Sequence, residues 1–168
     1  MREGTGETTV AVAPEVAFAY LADPRNAQQW FAGAALAERP EGTPHARMRW
    51  RFVQSRNNRV VPVQMETYEP PTHFRWQTAL RWPRTNLRWE MRCDPLSEGE
   101  GGTRLRMTIG IEPGPMGWLA LWLSKPVYRP DPAMQAQRAV ERARDALESR
   151  SSSRTIERRP PEKRRRRR

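Results

Sequence analysis

The sequence is short of cysteine and histidine. Cys93 is the single cysteine, so the chain can form neither an internal disulfide nor a cysteine-based metal site. Such a chain suits a reducing compartment, and we expect a cytoplasmic protein. His45 and His73 are the only histidines. Both lie near the ends of predicted strands, where we expect them to be solvated. No HExxH motif or paired-histidine spacing is present, and nothing in the sequence indicates a metal or another cofactor.

Long apolar runs are also missing. The best candidate, Met116–Tyr128, has 13 residues and contains a Lys and a Pro, whereas a membrane-spanning helix needs about 20 apolar residues. Met1–Val12 is polar and acidic and lacks the apolar centre of a signal peptide. We therefore expect no integral membrane segment. There is no phosphate-binding glycine-rich loop either, because Gly99–Gly102 is typical of a hairpin turn.

Positive charge is abundant but unevenly distributed. The chain has 30 basic and 19 acidic residues, a net charge of +11. Residues 151–168 hold nine basic and two acidic residues, a net charge of +7. Residues 1–150 hold 21 basic and 17 acidic residues, a net charge of +4. The basic residues are Arg apart from Lys125 and Lys163. A GC-rich genome explains this bias, and the alternative is a need for the forked guanidinium group. The folded part is thus predicted to be only mildly basic.

The last 18 residues predict a disordered tail. They consist mainly of Ser, Arg and Pro, which cannot bury enough apolar surface to fold. We therefore expect a domain over 1–150 and a tail over 151–168. The tail ends in Arg164, Arg165, Arg166, Arg167 and Arg168. Polyarginine attracts polyanions by counterion release, so nucleic acid and anionic membranes are candidate partners. The alternative is a solvated tail without a specific partner.

The N-terminal third predicts a strand followed by two short helices. Thr5–Val12 is rich in Thr and Val, which favour strands. Pro14 stands at a favourable first helical position, and the segment after it has an apolar helical face. Asp23-Pro24 ends this helix and can cap a second one over Arg25–Trp30.

From Ala34 onward the apolar residues recur at every second position. The alternation is clearest in the segments Met48–Phe52, Val61–Thr67, Phe74–Leu80, Leu87–Cys93 and Leu105–Ile111, where Arg, Gln and Glu dominate the intervening positions. Turn-forming residues separate the segments. Short strands with one polar face predict an antiparallel meander.

Two helical patterns follow the meander. Met116 begins a short segment containing Trp118 and Trp122, which predicts a helix that either caps a cavity or touches a membrane interface. Ala133–Ser149 is the longest predicted helix. Its apolar face consists of Ala133, Ala136, Val140, Ala143 and Leu147.

With these residues in this order, the chain resembles the START-like (SRPBCC) superfamily, and within it the polyketide cyclase/dehydrase family. The resemblance is carried by VAVAPEVAFAYLADPRNAQQW (Val10–Trp30), METYEPPTHFRWQT (Met65–Thr78), GGTRLRMTIGIEPGP (Gly101–Pro115) and RAVERARDALES (Arg138–Ser149). It implies an α+β helix-grip fold. In this fold a curved antiparallel sheet of about seven strands wraps around a long C-terminal helix, and two short helices follow the first strand.

The resemblance also implies a cavity between the concave face of the sheet and the C-terminal helix. The period-two pattern places apolar and aromatic side chains on that face. The predicted ligand-binding residues are Trp50, Phe52, Met65, Trp76, Trp89, Met91, Met107, Ile109, Val140 and Arg144. Such a lining suits a hydrophobic ring system or an acyl chain. The alternative is that these side chains simply fill the core.

Family members include lipid carriers and aromatic cyclases, so the resemblance leaves two functions open. One is the binding of a hydrophobic small molecule, which could be lipid, aromatic or polyketide-like. The other is a cyclase or dehydrase reaction, which needs a proton donor and a base converging on one carbon chain. The polar candidates are Thr67, Tyr68, His73, Thr78, Gln137 and Arg144, whereas Tyr20 is expected in the core. Sequence alone assembles no catalytic cluster from them.

Overall fold

The computed structural model describes residues 2–31, 34–54, 58–80, 85–97, 101–114 and 131–157. The elements, in chain order, are β1 (Arg2–Val10), α1 (Pro14–Leu21), a 3-10 turn (Pro24–Asn26) that continues into α2 (Ala27–Trp30), β2 (Ala34–Glu38), β3 (Arg49–Gln54), β4 (Arg59–Glu69), β5 (His73–Leu80), β6 (Thr85–Pro95), β7 (Thr103–Pro113) and α3 (Pro132–Glu157). This order confirms the predicted α+β class and the two short helices after the first strand.

The seven strands form one antiparallel sheet in the order β1-β7-β6-β5-β4-β3-β2. Strands β2 to β7 pair with their sequence neighbours, as expected of a meander. Strand β1 instead pairs with β7, so the first and last strands lie side by side. With α3 packed against the sheet, the arrangement is the predicted helix-grip fold.

Proline and aspartate set the bounds of the two short helices. Pro14 occupies the first turn of α1, where its missing N–H costs no hydrogen bond. The Asp23 carboxylate then accepts the backbone N–H of Arg25 at 2.9 Å and pairs with its guanidinium at 2.7 Å. Asn26 donates its side-chain amide back to the Tyr20 carbonyl at 3.0 Å. The predicted Asp-Pro boundary is therefore confirmed.

The sheet has an inner face, toward the helices, and an outer face, which is polar. Inner-face side chains such as Trp50, Val63 and Trp76 are buried, while the residues between them are exposed or half-buried. The alternation of β4 was predicted wrongly at one point. A bulge between Met65 and Thr67 leaves Thr67 opposite Arg75, on the outer face. The extra residue of a bulge shifts all later side chains to the opposite face.

Helix α3 packs against β1 and β7, at one side of the sheet. Gly4 and Gly6 are buried beneath it, and a Cβ on either glycine would overlap the helix backbone. The buried positions of the helix include Ala136 and Ala143, which also allow a close approach. The inner face of β3 to β5 is left to aromatic side chains and the two short helices.

The end of α3 differs from the prediction. We expected the helix to stop at Ser149 and disorder to begin at residue 151, whereas the helix continues to Glu157. Arg is a good helix former, and no Gly or Pro occurs before Pro160. The hydroxyls of Ser151 and Ser152 donate to the Glu148 carbonyl at 2.9 and 3.1 Å. The division at residue 150 stays a prediction, and the rest of the tail lies outside the described residues, as does the predicted Trp118/Trp122 helix.

Candidate functional site

Eight of the ten predicted ligand-binding residues belong to the hydrophobic core. Each is at most 5% exposed, and they are Trp50, Phe52, Met65, Trp76, Met91, Met107, Ile109 and Val140. The other two, Trp89 and Arg144, are half-buried. Arg144 lies on α3 and forms an ion pair with its neighbour Asp145 at 3.2 Å. The structure thus gathers the apolar set, and its contact with a ligand stays a prediction.

Six aromatic side chains form a continuous aromatic wall on the inner face. They are Trp30, Phe31, Trp50, Phe52, Trp76 and Trp89. The Trp76 ring lies 5.1 Å from that of Trp50 and 5.3 Å from that of Trp30, between ring centroids. Phe31 touches Trp89 at 5.4 Å and Phe52 at 6.5 Å. Aromatic planes in such contact present a large apolar surface with defined geometry.

Sequence reasoning missed Trp30 and Phe31 as members of the wall. Both stand at the C-terminal end of α2, which lies between β2 and α3. Trp30 is 1% exposed. An aromatic pair that ends a four-residue helix was the available signal, because so short a helix is held by packing rather than by its own hydrogen bonds.

Three polar groups of the aromatic wall have no hydrogen-bond partner among the described residues. The indole N–H groups of Trp30, Trp50 and Trp76 are buried and find no acceptor in the part of the chain that the structure describes. Leaving a buried donor unsatisfied costs about 1–3 kcal/mol. The wall therefore offers three unused hydrogen-bond donors on an otherwise apolar surface.

The wall reaches the surface at one end. Phe31 and Trp89, which touch each other, are both half-buried, unlike their neighbours Trp50 and Trp76. Leu36 and Leu87, which pack against the same core, are also half-buried. Apolar side chains therefore lead from solvent to the wall at this point.

The predicted polar candidates do not converge. The Thr78 hydroxyl is buried and donates to the Pro62 carbonyl. Tyr68 packs its ring against Phe18, 5.3 Å away. Gln137 ties α3 to the edge strand, because its Oε1 accepts the N–H of Glu7 at 3.1 Å. Thr67, on the outer face, lies across the sheet from the aromatic wall. No donor and base face each other among these described groups.

His73 is not solvated, contrary to the prediction. Its side chain is 12% exposed and lies between two glutamates on the outer face, with Nδ1 3.2 Å from Glu69 and Nε2 3.1 Å from Glu90. The second contact has the distance of an ion pair but not the direction of a hydrogen bond. Cross-strand neighbours explain the burial, because His73 pairs with Arg92 in register and Arg92 in turn binds Glu90.

Glu90 is the centre of this charge cluster. Its carboxylate binds Arg75 at 2.9 Å and Arg92 at 3.2 Å. Burial alone raises the pKa of Glu90, but the hydrogen bonds and charge of Arg75, helped by Arg92 and His73, outweigh burial and hold the pKa below its usual value. Glu90 therefore stays ionised, which suits a structural ion pair better than proton transfer.

Tyr20 and Cys93 are core residues rather than reactive groups. Burial raises the pKa of Tyr20, against the opposing effect of Arg150, whose guanidinium lies 4.8 Å from the ring centroid. The Tyr20 hydroxyl donates to Gln29, and its predicted place in the core is confirmed. Burial also raises the pKa of Cys93 to about 12, which makes its thiol a poor nucleophile.

Neither a metal site nor a membrane span is visible in the described ranges. No three side chains of His, Cys, Asp or Glu within those ranges come together in a way that could hold a metal ion. Of the helices that the structure describes, none is long and apolar enough to cross a membrane.

A separate groove of about 690 Å³ lies on the outer face of the sheet. The outer-face residues that line it are Glu38, Arg49, Arg51, Pro62, Gln64, Gln77, Ala79, Asn86, Arg88, Gly110 and Glu112. Four inner-face residues, Trp50, Val63, Thr78 and Leu87, also contribute to its lining, whereas Trp76, Trp89 and Ile109 do not. This outer groove was not foreseen, because polar residues at alternate strand positions are normally just solvent-facing.

Solved structures of low sequence identity share the fold. A hypothetical protein of Helicobacter pylori matches with a TM-score of 0.64 and 12% identity, over 87% of this chain and 88% of its own. Norcoclaurine synthase of Thalictrum flavum, solved with a transition-state analogue, matches with a TM-score of 0.63 and 8% identity, over 89% and 96%. The Aha1 dimer of Colwellia psychrerythraea matches with a TM-score of 0.57 and 15% identity, over 88% of this chain and 97% of its own.

Sequence comparison identifies the family. No curated protein matches this chain. The family model described as polyketide cyclase/dehydrase and lipid transport matches residues 1–151, which include all seven strands. The chain therefore belongs to this SRPBCC family, whose members bind hydrophobic ligands.

Proposed function

We propose that the chain binds a hydrophobic small molecule that carries a hydrogen-bond acceptor, held against the aromatic wall on the inner face of the sheet. The observation that carries this proposal is the set of three buried indole N–H groups, on Trp30, Trp50 and Trp76, without an acceptor in the described ranges. A carbonyl or ether oxygen of a lipid, an aromatic compound or a polyketide-like chain supplies the missing acceptor. Membership in a family that binds hydrophobic ligands supports the apolar part.

The geometry supports one compact ligand rather than three separate contacts. Trp30 and Trp50 both lie within 5.3 Å of Trp76, measured between ring centroids. A ligand next to Trp76 therefore reaches the neighbouring indoles as well. Its access route is the half-buried pair Phe31 and Trp89, where the wall meets the surface.

Binding is favoured over catalysis by the polar groups on the inner face. The buried polar residues include Thr78 and Thr103, whose hydroxyls donate to the backbone carbonyls of Pro62 and Val12. Both hydroxyls are thus occupied, and neither is a base at neutral pH. The part of the chain that the structure describes supplies no acid–base pair for a cyclase, so we propose a binding protein.

The test is calorimetric titration of the full-length chain with two ligands that differ only in the acceptor. Benzophenone has a carbonyl oxygen, and diphenylmethane has the same two rings without it. We expect benzophenone to bind about tenfold more tightly, which corresponds to about 1.4 kcal/mol and to one satisfied buried donor.

Two tryptophan variants locate the effect. Trp76→Phe removes one of the three buried N–H groups but keeps an aromatic ring, and we expect it to reduce the preference for the ketone. Trp89→Phe is the matched control, because Trp89 belongs to the wall but not to the three unpartnered donors. Absence of binding, equal affinity for the two compounds, or equal loss of preference in both variants contradicts the proposal.

A further inference from the structure

The arginines of the outer face are of two kinds. Four of them have carboxylate partners: Arg75 and Arg92 bind Glu90, and Arg104 and Arg106 bind Glu7. The three arginines that line the outer groove, Arg49, Arg51 and Arg88, form no ion pair with any described residue. The same surface therefore neutralises its arginines elsewhere and leaves them unpaired around the groove.

Two of these arginines stand in one row across the sheet. Arg49 is paired with Gln64, Gln64 with Gln77, Gln77 with Arg88 and Arg88 with Gly110, each directly across neighbouring strands. Neighbouring strands are about 4.8 Å apart, so the two arginines are separated by roughly 14 Å at the backbone. Two side-chain amides lie between them, and each can both donate and accept hydrogen bonds.

Gly110 continues the row next to Arg88, and Glu3 of β1 stands opposite Gly110 as the next residue of the row. A Cβ on Gly110 would meet only the Cβ of Arg88, at an ordinary contact distance of 3.7 Å, and Gly110 has no positive φ angle. Neither packing nor backbone conformation therefore requires glycine here, although glycine in the middle of a strand costs stability. Such a glycine often marks a place where a ligand approaches the backbone.

A second row of outer-face residues lies beside the first and carries both carboxylates of the groove. In it Arg51 stands opposite Pro62, and Asn86 stands opposite Ala79. Pro62 and Ala79 form a low apolar strip between the polar groups. The two carboxylates of the groove, Glu38 and Glu112, belong to the two ends of this second row. In the first row the stretch from Arg49 to Arg88 contains no carboxylate, and Glu3 stands two strands beyond Arg88, so an anion is favoured between the two arginines.

We propose that the outer groove is a second binding site, for a small organic molecule that carries a phosphate or carboxylate group. Arginine binds both groups through two parallel hydrogen bonds. The amides of Gln64 and Gln77 recognise a polar body, and the strip formed by Pro62 and Ala79 accepts a ring. A volume of about 690 Å³ is that of an ordinary small-molecule site. The site opens on the opposite side of the sheet from the aromatic wall, and Trp50 is the member of the wall that also contributes to its lining.

The test is an NMR titration of the full-length, isotope-labelled chain with phenyl phosphate and, separately, with benzoate. We expect saturable shifts of the backbone amides of Gln64, Gln77 and Gly110 with at least one of them. Arg88→Gln should weaken binding at least tenfold. Gly110→Leu should block the groove, and its own spectrum reports whether it is folded. If it is not, Arg49→Gln provides the second variant and should weaken binding as Arg88→Gln does.

Arg104→Gln is the matched control. Arg104 lies on the same face but is paired with Glu7 at 3.4 Å and does not line the groove. This variant should bind with unchanged affinity. The proposal is overturned if the shifts do not saturate, if they are confined to residues 158–168, or if Arg104→Gln weakens binding as much as Arg88→Gln. Inorganic phosphate that binds as tightly as phenyl phosphate overturns the assignment of an organic ligand.

Discussion

Gly6 lies directly beneath Ala136, so that a Cβ on Gly6 would be only 2.5 Å from the carbonyl carbon of Ala136. A Cβ on Gly4 would likewise be only 2.6 Å from the Cα atom of Ala133. Helix α3 and strand β1 are therefore in backbone contact, without side chains between them. The adjacent hydrogen bond from the Glu7 N–H to Gln137 adds a polar tie to this contact.

The first prediction concerns this contact. Gly6→Ala should destabilise the fold by about 1–3 kcal/mol or more, because a backbone obstacle cannot move aside by a rotamer change. Urea unfolding at neutral pH measures the effect. Gly110→Ala is the control, because its Cβ meets ordinary space and it should cost less than about 0.5 kcal/mol or even stabilise. Equal losses in the two variants would show that α3 can shift away from β1.

The second prediction concerns Glu90 and pH. Because its pKa is lowered in the folded state, the stabilising effect of Glu90 is present above the ordinary glutamate pKa and is lost as the pH falls through the lowered value. Glu90→Gln should reduce the free energy of unfolding by about 1–3 kcal/mol near pH 7, through the loss of charged hydrogen bonds to Arg75. The deficit should shrink as the pH is lowered from 7 toward 3, because protonation of the wild-type carboxylate removes the same charge.

Glu112→Gln is the control for the pH experiment. Glu112 is exposed and makes no ion pair with any residue in the described ranges. Its substitution should change the free energy of unfolding little at either pH. A deficit of Glu90→Gln that already disappears while the pH is still above the ordinary glutamate pKa would contradict the assignment of a lowered pKa.

The third prediction concerns the basic tail. We propose that residues 158–168 bind polyanions without a specific sequence. Truncation after Glu157 should remove salt-dependent binding of a fluorescent single-stranded oligonucleotide, measured by anisotropy at about 50 and 200 mM salt. Arg88→Gln in the full-length chain is the control and should bind the oligonucleotide almost as wild type does. A truncated chain with unchanged affinity would place the polyanion contact on the folded part.

Most of the fold follows from the alternation of apolar and polar residues and from the turn-forming and helix-ending residues between the segments. The run Met48–Phe52 shows which side chains enter the core, because a shift of one residue would bury a row of arginines. Asp23-Pro24 marks the change from one short helix to the next. The bulge at Thr67 could not be foreseen, since Glu66 and Thr67 continue a regular polar and apolar alternation. The continuation of α3 past Ser149 was not predicted, because a segment rich in Ser and Arg is typical of disorder by composition, although no Gly or Pro occurs before Pro160.

The candidate sites were less accessible to prediction. Trp50 and Trp76 were correctly placed on the inner face, but their missing hydrogen-bond partners depend on how the rings pack in three dimensions. The outer groove depends on which arginines find glutamates across the sheet. Arg88 and Arg92 are both two residues from Glu90 on β6, but Glu90 pairs with Arg92, whereas Arg88 lines the groove.

Because β1 pairs with β7, the sheet can be completed only after β7 has been synthesised. Thr5 and Thr108, whose hydroxyls lie 3.2 Å apart, are separated by 103 residues along the chain. At about 5–20 residues per second, the first strand leaves the ribosome roughly 5–20 s before its partner exists. Until then β1 lacks its partner strand β7, and α3, which follows β7 in the chain, is not yet there to cover β1, so the N-terminal segment must stay unpaired. Arg2–Val10 alternates small and charged residues with only a single large apolar side chain, Val10. This composition disfavours the pairing of β1 with other chains before β7 has been synthesised.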